Sequence, residues 1–132
     1  MFDPGDRWEY GINMDWVGKT VEAVSDQSLE VYFKEKIFAP LGMTDTGSLI
    51  SSSQKARVAP MFSRQGDGSL KLMDFEMPQL PEFFMGGGAL FSTPRNFCRC
   101  CCTKARSTVE VLKPETVALM RQNHIGDLNV VT

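Results

Sequence analysis

The residue pattern predicts a mostly helical chain with few strands. Three observations predict it. Apolar residues recur at helical spacing between Ile12 and Ile37, proline-led helix starts stand at Thr93-Pro94 and Lys113-Pro114, and only one stretch, around Gln65-Gly66-Asp67-Gly68, reads as a turn between strands.

Residues 4–11 read as a turn and a short loop. Beyond them Ile12, Trp16, Val17, Val21 and Val24 fall on one stripe of a helix. Asn13 is its candidate N-cap, because the side-chain oxygen can accept a first-turn N–H that has no partner within the helix. The pattern ends at Ser25-Asp26. Ser28 is placed to cap a second helix whose buried edge is Leu29, Phe33 and Ile37, and Pro40 and Gly42 stop it, giving a helical hairpin. Residues 44–92 are rich in Ser, Gly, Pro and Met, with short strands expected at 58–63 and 69–73. So long a stretch with little regular pattern is usually functional or poorly ordered. A helix is expected from Pro94 to about Lys104 and another from Pro114 to about Gln122, while Leu128 to Thr132 resembles the opening of a strand.

The length of 132 residues suits one domain. With 42% hydrophobic and 23% charged residues the chain falls in the ordinary globular range and outside the disordered one. A net charge of −2 leaves no basic stripe to neutralise phosphates, so nucleic acid is not an expected partner. No apolar run reaches the roughly 18–20 residues of a membrane span. Met1 to Asp6 has neither the basic start nor the apolar run of a secretion signal, and localisation stays open.

Tyr10 is the first candidate for chemistry. It stands between the Pro4-Gly5 turn and a helix start, where a phenol can project into a cleft. A phenol's ordinary pKa is about 10, so it serves as a base at neutral pH only where cations stabilise the phenolate. From spacing alone, packing or hydrogen-bond anchoring is the commoner role of a loop tyrosine.

Three stretches carry a family resemblance. Pro4-Gly5-Asp6-Arg7-Trp8-Glu9-Tyr10 precedes the first helix, Ile37-Phe38-Ala39-Pro40-Leu41-Gly42-Met43-Thr44-Asp45-Thr46 follows the second, and Gly86-Gly87-Gly88-Ala89-Leu90-Phe91-Ser92-Thr93-Pro94-Arg95-Asn96-Phe97 comes later. In that order they closely resemble segments of the β-lactamase-related serine hydrolases: class C β-lactamases, DD-peptidases, family VIII carboxylesterases and related acyltransferases. The resemblance implies an α+β fold of the β-lactamase/transpeptidase type, of which residues 1–132 are a partial domain holding mostly the helical subdomain and cleft loops. It implies acyl-enzyme chemistry on a small-molecule ester or amide, β-lactams among them, with no metal and no organic cofactor. In the family the serine and lysine of an S-x-x-K motif supply nucleophile and partner, and a tyrosine on a second motif activates the serine. Tyr10 matches that tyrosine; Asn13 and the turn Gly86, Gly87 and Gly88 are the substrate-binding candidates. The second motif is usually Tyr-x-Asn, whereas Ile12 stands here at the third position with Asn13 one residue later. That departure fits an esterase-like member better than a β-lactamase. The nucleophile motif is expected upstream of Tyr10 and the third motif, K-T-G or H-x-G, beyond Thr132, so the chain alone is expected to be inactive. Apolar faces left without the family's sheet are expected to make it marginally stable or self-associating.

Other features carry competing readings. Ser52-Ser53-Gln54-Lys55 fits S-x-x-K literally but follows Tyr10 and lies in a polar stretch, so it reads as a surface loop. Cys98, Cys100, Cys101 and Cys102 lack the second ligand pair of a zinc site and read as small core residues on a helix; a metal-binding module is the weaker alternative. His124 reads as structural or solvent-facing. Met73, Met77, Met85, Phe75, Phe83 and Phe84 suit an acyl pocket or a core cover equally. A non-catalytic homologue or binding module is the alternative to the enzyme.

Overall fold

The computed structural model describes residues 2–3, 5–101, 111–128 and 130. Its helices are α1 (Asn13–Ser25), α2 (Leu29–Phe33), α3 (Ser52–Lys55), α4 (Pro94–Cys101) and α5 (Pro114–Leu119), and its strands are β1 (Met61–Arg64) and β2 (Leu70–Met73). Helices with one small antiparallel sheet make this an α+β chain. The expected end of α4 near Lys104 lies outside the described residues, as does most of the strand expected at 128–132. Helix α5 stops three residues short of Gln122, its last turn tightening as Arg121 N–H and Gln122 N–H donate to the Ala118 and Leu119 carbonyls.

Asn13 is the first residue of α1 and not its cap: Ile12 holds the cap position, and no side chain bonds the first turn there. At the other end Asp26 turns into the left-handed region (φ 55°) and closes the helix on Glu22 O. The apolar stripe forms as its spacing requires. Ile12, Trp16, Val17 and Val24 are all more than half exposed, and the one buried residue of α1 is Gly18. The helix packs most closely at Gly18, and of its apolar stripe only Val21 is half-buried among the described residues.

Ser28 caps α2 as its position requires, accepting the Val31 N–H at 3.4 Å. Glu22 reaches from α1 to the same helix start. Its carboxylate accepts the Leu29 N–H at 2.8 Å and pairs with Lys19 at 2.8 Å, so two helices share one anion. Leu29 beneath them is 1% exposed. The helix then widens into a π turn, Lys34–Phe38. The extra residue shifts the buried edge by one position, from Ile37, which is half-buried, to Phe38, which packs with Leu41 and Met43. Gly42 takes φ +63° where the chain leaves this turn, a conformation that favours glycine. Arg99 of α4 donates to the Leu41 and Gly42 carbonyls at 3.3 and 2.7 Å, tying α4 to this end.

The β-hairpin pairs Met61 with Met73 and Arg64 with Leu70, shorter at its outer end than the expected strands. Asp67 accepts both the N–H and the hydroxyl of Ser69 in the turn. An isolated bridge between Gly47 and Phe91 joins the segment after α2 to the segment before α4, and the Glu30 carboxylate accepts the adjacent Ser48 N–H at 2.9 Å.

Truncating Leu29 to Ala is expected to cost about 2–5 kcal/mol in chemical denaturation, as for other buried leucines. Glu22 has a testable pH signature. Its hydrogen bond with Lys19, then that with Leu29 N–H, lowers its carboxyl below the ordinary value. The stabilisation is therefore complete above the unfolded pKa of about 4.3 and is lost as pH falls through the lower folded value. Thermal melts should show the midpoint falling across that acid range, and Glu22→Gln should flatten that part of the profile.

Candidate active site

Tyr10 lies just before α1. Its side chain is 86% exposed, and its ring meets Trp8 at a tilt of 56° with centroids 6.3 Å apart. No hydrogen bond among the described residues engages its hydroxyl. The nearby Arg7 is occupied elsewhere, lying over the Phe2 ring at 4.0 Å and pairing with Glu9 at 3.3 Å. Asn13 folds its amide back beside Gly11, with both terminal atoms 3.8 Å from where a Cβ on that glycine would sit. Ile12 between them is exposed.

The glycine turn meets α1 directly. A Cβ on Gly18 would come within 3.3 Å of the Gly86 backbone and 2.9 Å of Leu29 Cδ2, and a Cβ on Gly86 would run into the Met14 carbonyl oxygen. Helix and turn thus touch backbone to backbone. Beside this contact the Gly87 N–H donates to Asp15 Oδ1 at 2.9 Å. Gly88 faces open space. The structure therefore brings Gly86 and Gly87 onto the first turns of the helix that begins at Asn13, close in sequence to Tyr10.

Asp15 was not among the candidates that the sequence offers. Its partner is 72 residues away, and the only local hint is Gly18. A glycine inside a helix costs about 1 kcal/mol relative to alanine and so points to a packing reason.

The remaining candidates fall apart from this place. Ser52 and Lys55 lie on a surface helical turn and not in a loop. Ser51 caps that turn in a reciprocal capping box with Gln54, which is why the segment turns helical. Lys55 is engaged by Glu76 at 2.7 Å. Cys98 and Cys100 are exposed, which corrects their reading as core residues: α4 turns Asn96 inward and these thiols outward. Cys102 lies outside the described residues. Among the described residues no group of three or more His, Cys, Asp or Glu side chains could hold a metal ion. His124 is exposed, and its Nε2 meets the Leu119 carbonyl at 2.7 Å, closing the end of α5. Met77, Phe83, Phe84 and Met85 line an apolar cleft of about 380 Å³, whereas Met73 and Phe75 line a different one that Met77 also borders. No described helix is long and apolar enough to cross a membrane.

A family profile described as Beta-lactamase matches residues 1–127. The chain belongs to the β-lactamase family. Within it, the chain is 36% identical over 124 residues to the monacolin J acid methylbutanoyltransferase of Aspergillus terreus, covering 91% of this chain and 30% of that protein. It is 31% identical over 130 residues to the lovastatin esterase of Penicillium rubens, covering 95% of this chain and 33% of that protein. The solved structure of unliganded simvastatin synthase from Aspergillus terreus superposes with a TM-score of 0.83 at 35% identity, over 95% of this chain and 31% of that one. The fold is thus that of the β-lactamase family, and these relatives are acyltransferases and an esterase. The chain spans about a third of the length of the relatives it matches.

The backbone contact sets up a contrast between neighbouring glycines. Gly86→Ala is expected to destabilise the chain by about 1–3 kcal/mol, because the methyl group meets main chain that cannot rotate away. Gly88→Ala, facing open space, should leave the melting midpoint close to that of the parent. Differential scanning calorimetry of the two variants checks both.

Proposed function

We propose that this chain is part of a serine acyl-transfer enzyme acting on a small-molecule ester or amide. The acyl group passes to a serine outside these residues, forming an acyl-enzyme, and then to water or to a small-molecule hydroxyl. Tyr10 is the general base. It takes the serine proton as the oxygen attacks the carbonyl, then returns a proton to the departing oxygen or nitrogen as the tetrahedral intermediate collapses. The cation that keeps its phenolate ionised comes from outside the described contacts, since Arg7 is already engaged.

The observation that carries this reading is the placement of Tyr10. Its phenol is exposed at a helix start with its hydroxyl uncommitted among the described residues, where a buried or bonded tyrosine would be structural. The methylbutanoyl transfer and the ester cleavage named for the two relatives support the reaction class. Asn13 and the turn Gly86–Gly88 are proposed to bound the substrate cleft, with the open face of Gly88 letting a carbonyl approach the main chain. Ile12 offers no amide to hold a substrate, which favours esters over β-lactam rings.

The test grafts residues 1–127 into the Aspergillus terreus transferase in place of the matched segment, which supplies the rest of the fold. Tyr10→Phe in that chimera should lower kcat by about 10²–10⁴, as loss of a general base does. A loss of less than tenfold would remove the tyrosine from the mechanism. The 132-residue chain by itself should hydrolyse a chromogenic short-chain ester no faster than buffer. Turnover that disappears in Ser52→Ala would instead make Ser52 and Lys55 the reactive pair.

A further inference from the structure

We infer that Asp15 is a positioning residue of this site: by holding the Gly87 N–H it fixes where the turn Gly86–Gly88 lies along the helix that follows Tyr10. The inference rests on the reading of Tyr10 given above and adds a residue that acts through others.

Two kinds of contact join the helix to the turn, and they restrain different motions. The Gly18–Gly86 approach, with the Met14 carbonyl beside it, is van der Waals contact between two main chains. Such contact resists closer approach, but it has no direction and lets one chain slide along the other. The hydrogen bond from Gly87 N–H to Asp15 Oδ1, at 2.9 Å, is directional and charge-assisted. It selects one register of the turn against α1. Removing it leaves the surfaces touching but free to slip.

The use of this carboxylate is informative. An acidic residue in the first turn of a helix ordinarily serves its own helix, through the dipole or by reaching back to the N-cap N–H. Helix α1 would gain from that service, because the side chain of Ile12 at its cap has no hydrogen-bonding group to offer. Asp15 nevertheless reaches across to a residue 72 positions later. The bond is also exposed, so water can replace it and its net stabilising effect is small. A contact that adds little stability but fixes the register between the tyrosine-bearing segment and the glycine turn matters chiefly for geometry. A displacement of about 1 Å in a reacting constellation can cost about 100-fold in rate.

Positioning and mere structure predict different outcomes for Asp15→Ala and Asp15→Asn, since the amide oxygen of asparagine can still accept the Gly87 N–H. In the 132-residue chain, Asp15→Ala should raise the Gly87 amide hydrogen-exchange rate about tenfold or more while the melting midpoint stays near that of the parent. Asp15→Asn should restore slow exchange. In the chimera described above, Asp15→Ala should lower kcat about tenfold or more with KM within about twofold, and Asp15→Asn should recover most of it. A kcat within twofold of the parent in Asp15→Ala overturns the inference, as does unchanged Gly87 exchange. Loss of activity in Asp15→Ala that Asp15→Asn fails to rescue, or that comes with a collapsed melting midpoint, also overturns it. Tyr10→Phe separates this result from the reading beneath it. Full activity in Tyr10→Phe removes the tyrosine's role and the inference together, whereas loss in Tyr10→Phe with none in Asp15→Ala removes Asp15 alone.

Discussion

The arrangement depends on two main chains being able to touch. Where α1 crosses the glycine turn, any side chain at position 86 would strike the Met14 carbonyl, and any at position 18 would strike Leu29 and the turn itself. Only hydrogen atoms fit. Because the approach is that close, a short carboxylate such as Asp15 can reach an N–H on the turn, and Leu29 can seal the underside at 1% exposure. The cost of glycine within a helix, about 1 kcal/mol, is small beside the packing that it permits.

That geometry gives α1 two unlike sides. One is inward and nearly bare, holding Gly18 against Gly86 and Leu29. The other carries Ile12, Trp16, Val17 and Val24 outward, uncovered among the described residues. Among the described residues the close packing of this helix is at Gly18. The buried cluster of Phe38, Leu41 and Met43 among the described residues is small, and so few buried side chains contribute little stability.

Much of the fold was legible in the sequence because local chemistry decides it. Ser28 caps α2, Thr93 accepts the Asn96 N–H ahead of Pro94, and the Gly-Asp-Gly turn closes the hairpin as their residue types require. Burial was read less well, since periodicity shows which face is apolar but not which face has a partner. Cys98 and Cys100 of α4 were assigned to the interior for that reason. The site divides in the same way. Tyr10 and the glycines stood out through motifs that are contiguous in the chain. Asp15 did not, because its role exists only once residue 87 has been folded back onto residue 15. The one-turn helix at Ser52–Lys55 was hidden by its polar composition, although its Ser-x-x-Gln capping box was there to be read.

The π turn at Lys34–Phe38 places a constraint on length as well as on composition. Five residues there span what a regular helix would cover with about four, so the side chains beyond are rotated by about 100° from where an unbroken helix would point them. Phe38 enters the cluster with Leu41 and Met43 at the end of that offset. Deleting a single residue from this segment would remove that offset and turn Phe38 away from its partners even if every remaining side chain were unchanged, whereas exchanging one apolar residue for another would not. Across descendants of this chain, the segment can therefore drift in identity far more freely than in number, and gaps belong in the long loops that follow it.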